Sequence, residues 1–389
     1  WTNHFDVSIN KQQEVFQLSV KFKPALPRDQ NRTLDRLMQA AKNDLIKILG
    51  KTYFSTADTI YSLTEIKDEV NITVDTYLLS LQVTNNFQIG DINDPTKHQI
   101  VNRFLNVVTK TYMESQGFKE YGKYASYFPT EEKPTTIDQG LSILRGFKIT
   151  VDRYLDESIK INIDTCFRIS STRSIFHEFN THVQQAYGDK DSAKSKFTFE
   201  NIVGKSFCIQ HDFTRMVKIH GVDPKKNLES PSPVDGYKSM KEYFEATYKI
   251  KLIDPNQFIC FNEKKKKTPG GQLTAERTFY PSEILFGLGL KESQKKDFRL
   301  MKEIAAITKM RPEKKKQSIM DCSKLMKSIC ADIDMKITPN QTGTQETLVL
   351  ANPEYTIRNG KNLKAKDGII FFKDQIYSKA DFKKWAIIY

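Results

Sequence analysis

The sequence predicts an α+β protein that is divided into several domains. Its 389 residues are 39% hydrophobic, which suits about two to four small cores better than one large core. Short runs in which apolar and polar residues alternate, as in β-strands, are interspersed with segments whose apolar residues recur every three or four positions, as in amphipathic helices. No stretch approaches the roughly 18 consecutive apolar residues that a membrane-spanning helix needs, so no membrane partner is expected.

The first 95 residues combine strand patterns with one strong helix. Apolar residues from Leu34 to Leu49 share one face of a helix of about 17 residues, and Gly50 provides its end. Alternating patterns predict strands at residues 5–9, 15–20, 59–63 and 70–83.

The next segment, to residue 170, contains a second helix and a long hairpin. Residues 95–113 carry a continuous apolar stripe with helical spacing. The aromatic, turn-rich residues 121–134 predict irregular structure. Alternation over residues 140–168 predicts a long β-hairpin that joins two domains.

The remainder reads as a compact module followed by a helical segment. The module has helix patterns at 174–187 and 238–249 and strand patterns at 206–210, 216–219 and 258–261. The run KKKKTPGG at 264–271 predicts a flexible, solvated basic turn. Residues 293–331 predict helices, with Phe298, Met301, Ile304, Ala305 and Thr308 on one side and Pro312 opening the next helix. Residues 337–385 favour strands and turns.

The charge and the cysteines limit the class of function. The formal net charge of +13 favours a polyanionic partner such as nucleic acid. The five cysteines are widely spaced, odd in number and form no C-x-x-C pair, so we expect reduced thiols and no zinc site. The chain begins at Trp1 without a signal-peptide pattern, from which we expect a piece of a longer intracellular protein, cytoplasmic, nuclear or both.

Residues 261–317 resemble the linker that follows the PAZ domain in PIWI-clade Argonautes. That linker runs from a basic turn through Gly-Gly, an apolar-Pro-Glu-apolar strand and a D-F-x-x-M-K helix to a Thr and a Pro. The matching residues here are KKKK at 264–267, Gly270 and Gly271, YPSEI at 280–284, DFRLMK at 297–302, Thr308 and Pro312. Three further blocks are similar in the same order: TNHF at 2–5, LSILRGFKITV at 141–151 and KKWAIIY at 383–389.

The resemblance covers essentially the whole chain and implies its domain order. It implies an N domain at 1–95 with a mixed sheet and helices, and a first linker at 96–170. It implies a PAZ domain at 171–263, built as an OB-like β-barrel with a helical flap. A largely helical second linker at 264–389 would lead to the start of a MID domain.

The resemblance also implies a function. A PAZ domain holds the 3′ end of a guide RNA by stacking aromatic faces on the last base and donating hydrogen bonds to the last phosphate. The N domain and the linkers would line the channel for guide and target in RNA silencing. The implied partners are a single-stranded small guide RNA with a 2′-O-methylated 3′ end, target RNA, and the MID-PIWI half of the same protein.

The resemblance implies eight candidate residues for holding the RNA 3′ end. Tyr243 and Phe244 match an aromatic pair in the helix that closes the pocket, and Met240 and Tyr248 lie on neighbouring turns. The others are Phe197, before the first barrel strand, and Phe213, Arg215 and Lys218, in a hairpin. The alternative for the aromatic residues is packing in the core, and for Arg215 and Lys218 a solvated surface.

The hairpin departs from the family pattern. An ungapped match places Asp212 and Val217 where the family commonly has tyrosines. Either Phe213 substitutes through a shift of one residue, or 3′-end binding is weaker or built differently. The departure keeps open a protein-interaction scaffold that contains a PAZ domain and has lost RNA binding.

No catalytic residue is predicted in this chain. Argonaute cleavage resembles hydrolysis assisted by about two metal ions, and in the family the acidic ligands for Mg²⁺ lie in the PIWI domain. We expect no enzyme activity and no cofactor or metal for this chain alone. The intact protein could be an RNA-guided endoribonuclease through a PIWI domain that lies outside this sequence.

Overall fold

The structure, a computed structural model, describes residues 3–24, 31–56, 58–67, 69–122, 125–154, 157–185, 190–210, 212–232, 234, 236–255, 257–267, 273–337, 354–356 and 362–364. The helices among them are α1 (Asn31–Leu49), α2 (His98–Ser115), α3 (Ile175–Gln185), α4 (Lys190–Asn201), α5 (Met240–Tyr248), α6 (Glu292–Lys296), α7 (Phe298–Thr308) and α8 (Pro312–Leu325). Within these residues, no helix is long and apolar enough to cross a membrane.

The strands are antiparallel wherever they pair. They are β1 (His4–Ser8), β2 (Glu14–Lys23), β3 (Tyr53–Ser55), β4 (Thr59–Ser62), β5 (Val70–Val74), β6 (Tyr77–Gln88), β7 (Phe118–Tyr121), β8 (Ser126–Pro129), β9 (Thr135–Ile137), β10 (Leu141–Arg153), β11 (Ile159–Ser174), β12 (Ser206–Ile209), β13 (Asp212–Lys218), β14 (Gly221–Asp223), β15 (Ile259–Lys267), β16 (Leu273–Pro281), β17 (Leu285–Leu288), β18 (Ser328–Cys330), β19 (Met335–Ile337), β20 (Glu354–Thr356) and β21 (Asn362–Lys364). Residues 3–343 form one compact unit, and β20 and β21 form a two-stranded sheet in a second. The predicted α+β class is confirmed.

An N-terminal sheet of five strands, in the order β3-β4-β2-β6-β5, packs against α1. The helix buries Leu37, Ala41, Leu45 and Leu49, which recur every four residues. This confirms the predicted helix and its end at Gly50. The run predicted at 70–83 is two strands, β5 and β6, joined by a turn at Asp75.

The long hairpin of β10 and β11 is the centre of the largest sheet. The two strands pair continuously from Leu141–Ser171 to Arg153–Ile159. The other edge of β11 pairs with β1 near its start and with β17 near its end. The predicted hairpin is therefore confirmed, and it connects the N-terminal strand to the strands of the following module.

Helix α2 joins the five-stranded sheet to this larger sheet. Its fully buried Phe104 has ring contacts with Phe54, Tyr61 and Phe87 at centroid distances of 5.8, 5.4 and 5.9 Å. The same core includes Ile161 of β11. The predicted helix at 95–113 is confirmed, and its buried stripe makes one core from both sheets.

Tertiary pairing overrides several local predictions. Residues 121–134 were predicted to be irregular, but they contain β8, which pairs with β7 and β10. Residues 264–267, predicted as a loop, extend β15 and pair with β16 through to Lys267–Leu273. Packing of α7 on the β10–β11 hairpin buries Leu300 and Ile304, while Phe298, predicted on the buried side, is 80% exposed. The predicted KKWAIIY block at 383–389 lies outside the described residues.

Gly146 of β10 permits the close approach of β8. A Cβ atom at this position would lie 2.4 Å from the carbonyl oxygen of Tyr127 and 2.6 Å from the Phe128 ring. The glycine of the LRGF run is therefore required by the packing of the strands.

We expect Gly146→Ala to reduce the free energy of unfolding by about 1–3 kcal/mol, because the added methyl group overpacks a backbone contact. Gly287→Ala in β17 is the matched control, since its Cβ would meet only Ser171 at 3.9 Å. Urea denaturation followed by circular dichroism measures both. Equal midpoints for the two variants would contradict this account.

Candidate nucleic-acid interface

One end of the large sheet and a separate three-stranded sheet form a curled module around one core. The end of the large sheet consists of β13, β12 and β17, and the three-stranded sheet consists of β14, β15 and β16. Helices α3, α4 and α5 contribute to the same core. Its members include Phe197, Phe207, Val217, Met240, Phe244 and Tyr280.

Helix α5 is fixed at both ends by its own hydrogen bonds. The Ser239 hydroxyl accepts from the Glu242 amide at 3.2 Å, and the Glu242 carboxylate accepts from the Lys238 amide at 2.8 Å. At the other end, Lys249 adopts a left-handed conformation and donates to the Glu245 carbonyl at 3.0 Å. A helix of nine residues is therefore held in one register on the module.

Four aromatic rings form a cluster on and beside α5. We use the name aromatic cluster for Tyr237, Tyr243, Phe244 and Tyr248. Tyr243 makes edge contacts with the other three rings at 5.3, 5.1 and 5.7 Å, and Phe244 stacks on Tyr248 at 5.3 Å. The hydroxyls of Tyr243 and Tyr248 are 3.1 Å apart. The three tyrosines are half-buried, so each has part of its surface at the solvent.

The segment after α5 is hydrogen-bonded to the turn that follows β16. The Glu283 carboxylate accepts from the amides of Ile253 and Asp254 at 2.9 and 3.3 Å and from the side-chain amide of Gln257 at 2.6 Å. The Gln257 carbonyl oxygen accepts in return from the Glu283 amide at 2.8 Å. Gln257 is fully buried, so this network fixes the segment that leads away from the aromatic cluster.

The predicted residues divide into two groups by burial. Phe197, Met240 and Phe244 are 3%, 0% and 3% exposed and pack in the core. Phe197 contacts the rings of Phe179 and His182 at 5.6 and 5.2 Å. Tyr243 and Tyr248 are half-buried and Lys218 is exposed. The roles of all these residues in RNA binding stay predictions.

The β12–β13 hairpin contains the predicted Phe213 and Arg215. Its register shifts between the pairs Cys208–Met216 and Ile209–Asp212, which leaves residues 213–215 as a bulge in β13. The side chains of Asp212, Phe213 and Arg215 lie outside the described residues. Val217 is 7% exposed and belongs to the core.

Sequence analysis did not identify two residues of this candidate interface, Tyr237 and Gln257. Tyr237 precedes α5, outside the helix in which the resemblance identified Tyr243 and its neighbour Tyr248. Gln257 lies 26 residues from its partner Glu283, and no periodic pattern connects them. Glu283 belongs to the YPSEI block, but only the fold shows what its carboxylate holds.

The thiols are free, as predicted. Burial raises the pKa of Cys208 to about 11 and that of Cys322 to about 12, so both favour the neutral thiol at neutral pH. In the described ranges, His, Cys, Asp and Glu side chains form no group of three or more that could hold a metal ion.

Residues 177–311 match the family model of the PAZ domain. The chain is 21% identical over 340 residues to Piwi-like protein 1 of Gallus gallus, covering 83% of this chain and 36% of that protein. It is 22% identical over 410 residues to Piwi-like protein Ago3 of Bombyx mori, covering 97% and 41%.

The chain is thus similar to Piwi-like proteins over a part that includes a PAZ domain. The crystal structure of Drosophila Piwi shares the fold, with a TM-score of 0.54, 14% identity, and coverage of 87% of this chain and 42% of that one. The chain thus spans less than half the length of the Piwi-like relatives that it matches. The domain that matches is the PAZ domain and not the catalytic PIWI domain, so no catalytic residue is assigned.

The matched PAZ segment includes α5 and the aromatic cluster, and also continues through α7. The boundaries 171–263 inferred from the sequence stay a prediction. The module's core also contains Tyr280, Ile284 and Leu285, which come after residue 263.

We expect Glu283→Ala to reduce the free energy of unfolding by about 1–3 kcal/mol, because buried Gln257 and two backbone amides lose their acceptor. The exposed Glu229→Ala is the control for loss of a carboxylate in the same module. Hydrogen exchange of the Ile253 and Asp254 amides should accelerate only in the Glu283 variant. Unchanged exchange rates in the Glu283 variant would show that the Glu283 hydrogen bonds do not hold this segment.

Proposed function

We propose that this chain binds a small single-stranded guide RNA and that its PAZ domain anchors the RNA 3′ end at the aromatic cluster. The PAZ match over residues 177–311 and the Piwi-like relatives support small-RNA binding of the Argonaute type. The observation that carries the 3′-end assignment is the set of partly exposed tyrosine rings on and beside α5, inside the matched segment.

The chemistry of the cluster suits an RNA end of any sequence. A base that stacks on an aromatic face gains about 1–3 kcal/mol, and every base has such a face. The hydroxyls of Tyr237, Tyr243 and Tyr248 can donate to a terminal phosphate or accept from a terminal hydroxyl. Tyr243 is central, because its ring touches the other three rings.

The buried members have a supporting role in this proposal. Met240 and Phe244 lie on the inner face of α5 and fix the helix on the core, so the tyrosines are presented at defined positions. Phe197 fills the space between α3 and α4. Lys218 is exposed on the neighbouring hairpin, where an ammonium group would attract a phosphate.

The finer features of the function belong to the same proposal. The guide would carry a 2′-O-methyl group at its 3′ end, which an aromatic surface can cover without loss of a hydrogen bond. The N domain and the linkers would line the guide–target channel, and the MID-PIWI half would bind the other end of the guide and supply any cleavage of target RNA.

One observation favours a PAZ-containing interaction scaffold as the second candidate. Val217 occupies a position at which the family commonly has a tyrosine, and it is buried in the core, so this strand position presents no ring. In a scaffold, the aromatic cluster would serve packing alone and RNA affinity would be weak.

We expect Tyr243→Ala to weaken binding of a short single-stranded RNA with a free 3′ end about fivefold to 150-fold, because the variant cannot stack a base at this position. Tyr243→Phe keeps the ring and should retain most of the affinity. Phe199→Ala removes an aromatic ring that is 76% exposed on α4 and is the matched control. Fluorescence anisotropy at fixed salt measures all four proteins.

The chemistry of the RNA end separates the two candidates. The proposal requires that a bulky block on the 3′ oxygen weakens binding to the unaltered protein and that a 2′-O-methyl group does not. In the Tyr243→Ala variant the difference between blocked and free ends should disappear. Equal affinity of the unaltered protein for blocked and free ends would refute 3′-end anchoring, and absence of RNA binding would favour the scaffold.

A further inference from the structure

A tandem Ser-Pro motif lies beside the aromatic cluster, in a segment that the proposed RNA contacts leave unused. The sequence reads SPSP at 230–233, and Ser-Pro is the pair that proline-directed protein kinases phosphorylate. The chain contains two other Ser/Thr-Pro pairs, Thr268-Pro269 and Thr338-Pro339, which lie outside the described residues. We use the name SPSP loop for residues 224–239, which connect β14 to α5.

The SPSP loop is long and lies at the surface. Its described residues contain no helix or strand, and connections longer than about 12–15 residues of this kind are uncommon. Ser230 and Ser232 are half-buried, whereas Pro231 is exposed. The Ser230 hydroxyl donates to the side-chain oxygen of Asn227 at 3.1 Å, and the Ser232 hydroxyl donates to the Val234 carbonyl at 2.9 Å. Because these bonds join close neighbours in the sequence, a kinase can engage either serine without opening the hydrophobic core.

The SPSP loop is hydrogen-bonded directly to the start of α5. Leu228 is fully buried in the core of the module and anchors the loop. The carbonyl oxygens of Leu228 and Ser230 accept from the amides of Lys241 and Met240, each at 3.0 Å. The first amides of a helix have no acceptor within the helix, so the loop supplies acceptors for two of them. Tyr243 follows Met240 by less than one helical turn, which fixes the position of Ser230 relative to the aromatic cluster.

Phosphorylation of the SPSP loop would change the charge beside the aromatic cluster from neutral to strongly negative. Residues 223–242 hold four lysines and four acidic residues, so their formal net charge is zero. A phosphoserine carries a charge of about −1.5 to −2 at pH 7, so two of them bring the segment to about −3 to −4. A negative charge of this size repels the phosphates of an RNA that stacks on Tyr243.

We propose that a proline-directed protein kinase phosphorylates Ser230 and Ser232 and that this modification releases the RNA 3′ end from the aromatic cluster. The release rests on the proposed function, whereas the modification does not. In each transfer the serine hydroxyl oxygen attacks the γ-phosphorus of ATP bound to the kinase, and a bond forms between them. The bond from that phosphorus to the oxygen that bridges to the β-phosphate breaks, ADP leaves, and the hydroxyl proton passes to the catalytic aspartate of the kinase.

The first test measures phosphate on the folded chain. The reference protein is the 389-residue chain with Thr268→Ala and Thr338→Ala, which leaves Ser230 and Ser232 as its two Ser/Thr-Pro sites. The control protein carries Ser230→Ala and Ser232→Ala in addition, and thermal unfolding checks that both proteins are folded. Each is incubated with ATP, Mg²⁺ and a proline-directed kinase that phosphorylates a synthetic peptide of residues 224–241.

Mass spectrometry of tryptic peptides gives the result, because trypsin releases both serines in one peptide, residues 227–238. The reference protein should gain one or two phosphoryl groups on this peptide, and the control protein none. The native protein, isolated with phosphatase inhibitors, should carry phosphate on the same peptide. Either an unphosphorylated native peptide or a folded reference protein that the kinase leaves unmodified would overturn the proposal.

The second test compares the RNA affinity of the reference protein before and after phosphorylation. For a dianion about 10 Å from one RNA phosphate, binding should weaken about threefold per phosphoryl group at about 0.01 M salt and less than about twofold at 0.15 M salt. Treatment with a phosphatase should restore the affinity, and the control protein should be unaffected by the kinase. Equal affinity of the two forms of the reference protein at low salt would overturn the release.

The readouts separate this inference from 3′-end anchoring. Phosphorylation should weaken binding of an RNA with a free 3′ end and leave binding of a blocked RNA unchanged, since the aromatic cluster does not hold the blocked end. If both RNAs lose affinity equally, the charge acts on the strand as a whole and release of the 3′ end is wrong. If the unphosphorylated protein does not distinguish the two ends, 3′-end anchoring fails, and phosphate on residues 227–238 still decides whether the modification exists.

Discussion

Hydrogen bonding along both edges of β11 is the constraint on which the rest of this structure depends. One edge pairs with β10 from Ile159 to Ser171, and the other pairs first with β1 and then with β17. A strand of 16 residues spans about 50 Å, so a single element reaches from the N-terminal core to the PAZ module. A slip of one residue would move the inward side chains of β11 to the outward face. The register of β11 therefore affects both regions.

The same strand also sets the position of the candidate site. Strand β17, which pairs with the end of β11, belongs to the sheet of β12 and β13 beside the aromatic cluster. Phe167 of β11 pairs with Arg145 of β10, and both line a cavity that is also lined by Lys309 after α7. Helix α7 packs on this hairpin, and α8 forms an ion pair with it. A ladder of backbone hydrogen bonds thus links surfaces that come from segments more than 100 residues apart, such as Arg145 and Lys309.

The elements predicted best from the sequence are those that bury one face in a single hydrophobic core. The stripes of α1 and α2 and the alternation of β10 and β11 have strong periods because a single continuous surface buries them, and each was predicted with nearly the observed bounds. Predictions failed where elements that are distant in the sequence determine the local structure. Residues 264–267 carry four consecutive lysines that favour a loop, yet they pair with β16. Phe298 fits the spacing of α7, but the hairpin selects a face that begins at Leu300. The aromatic residues of β8 form a strand because β7 and β10 flank it.

Aromatic stacking and attraction between positive charges and phosphate differ in how far a sequence can predict them. Stacking acts at contact distance and depends little on salt, so it requires rings whose faces are both exposed and fixed. The resemblance to a family aromatic pair identified Tyr243 and Phe244 together. Only burial in the fold separates a tyrosine that reaches the surface from a phenylalanine that is 3% exposed. Phosphate attraction acts over about 10 Å at 0.1 M salt, and it requires that charges converge in space. One cavity is lined by cations from residues 133–145 and from residues 309–314. The net charge of +13 does not show that these charges converge. Folding therefore determines two properties that composition leaves open: which aromatic faces remain available, and where separate positive charges share one volume.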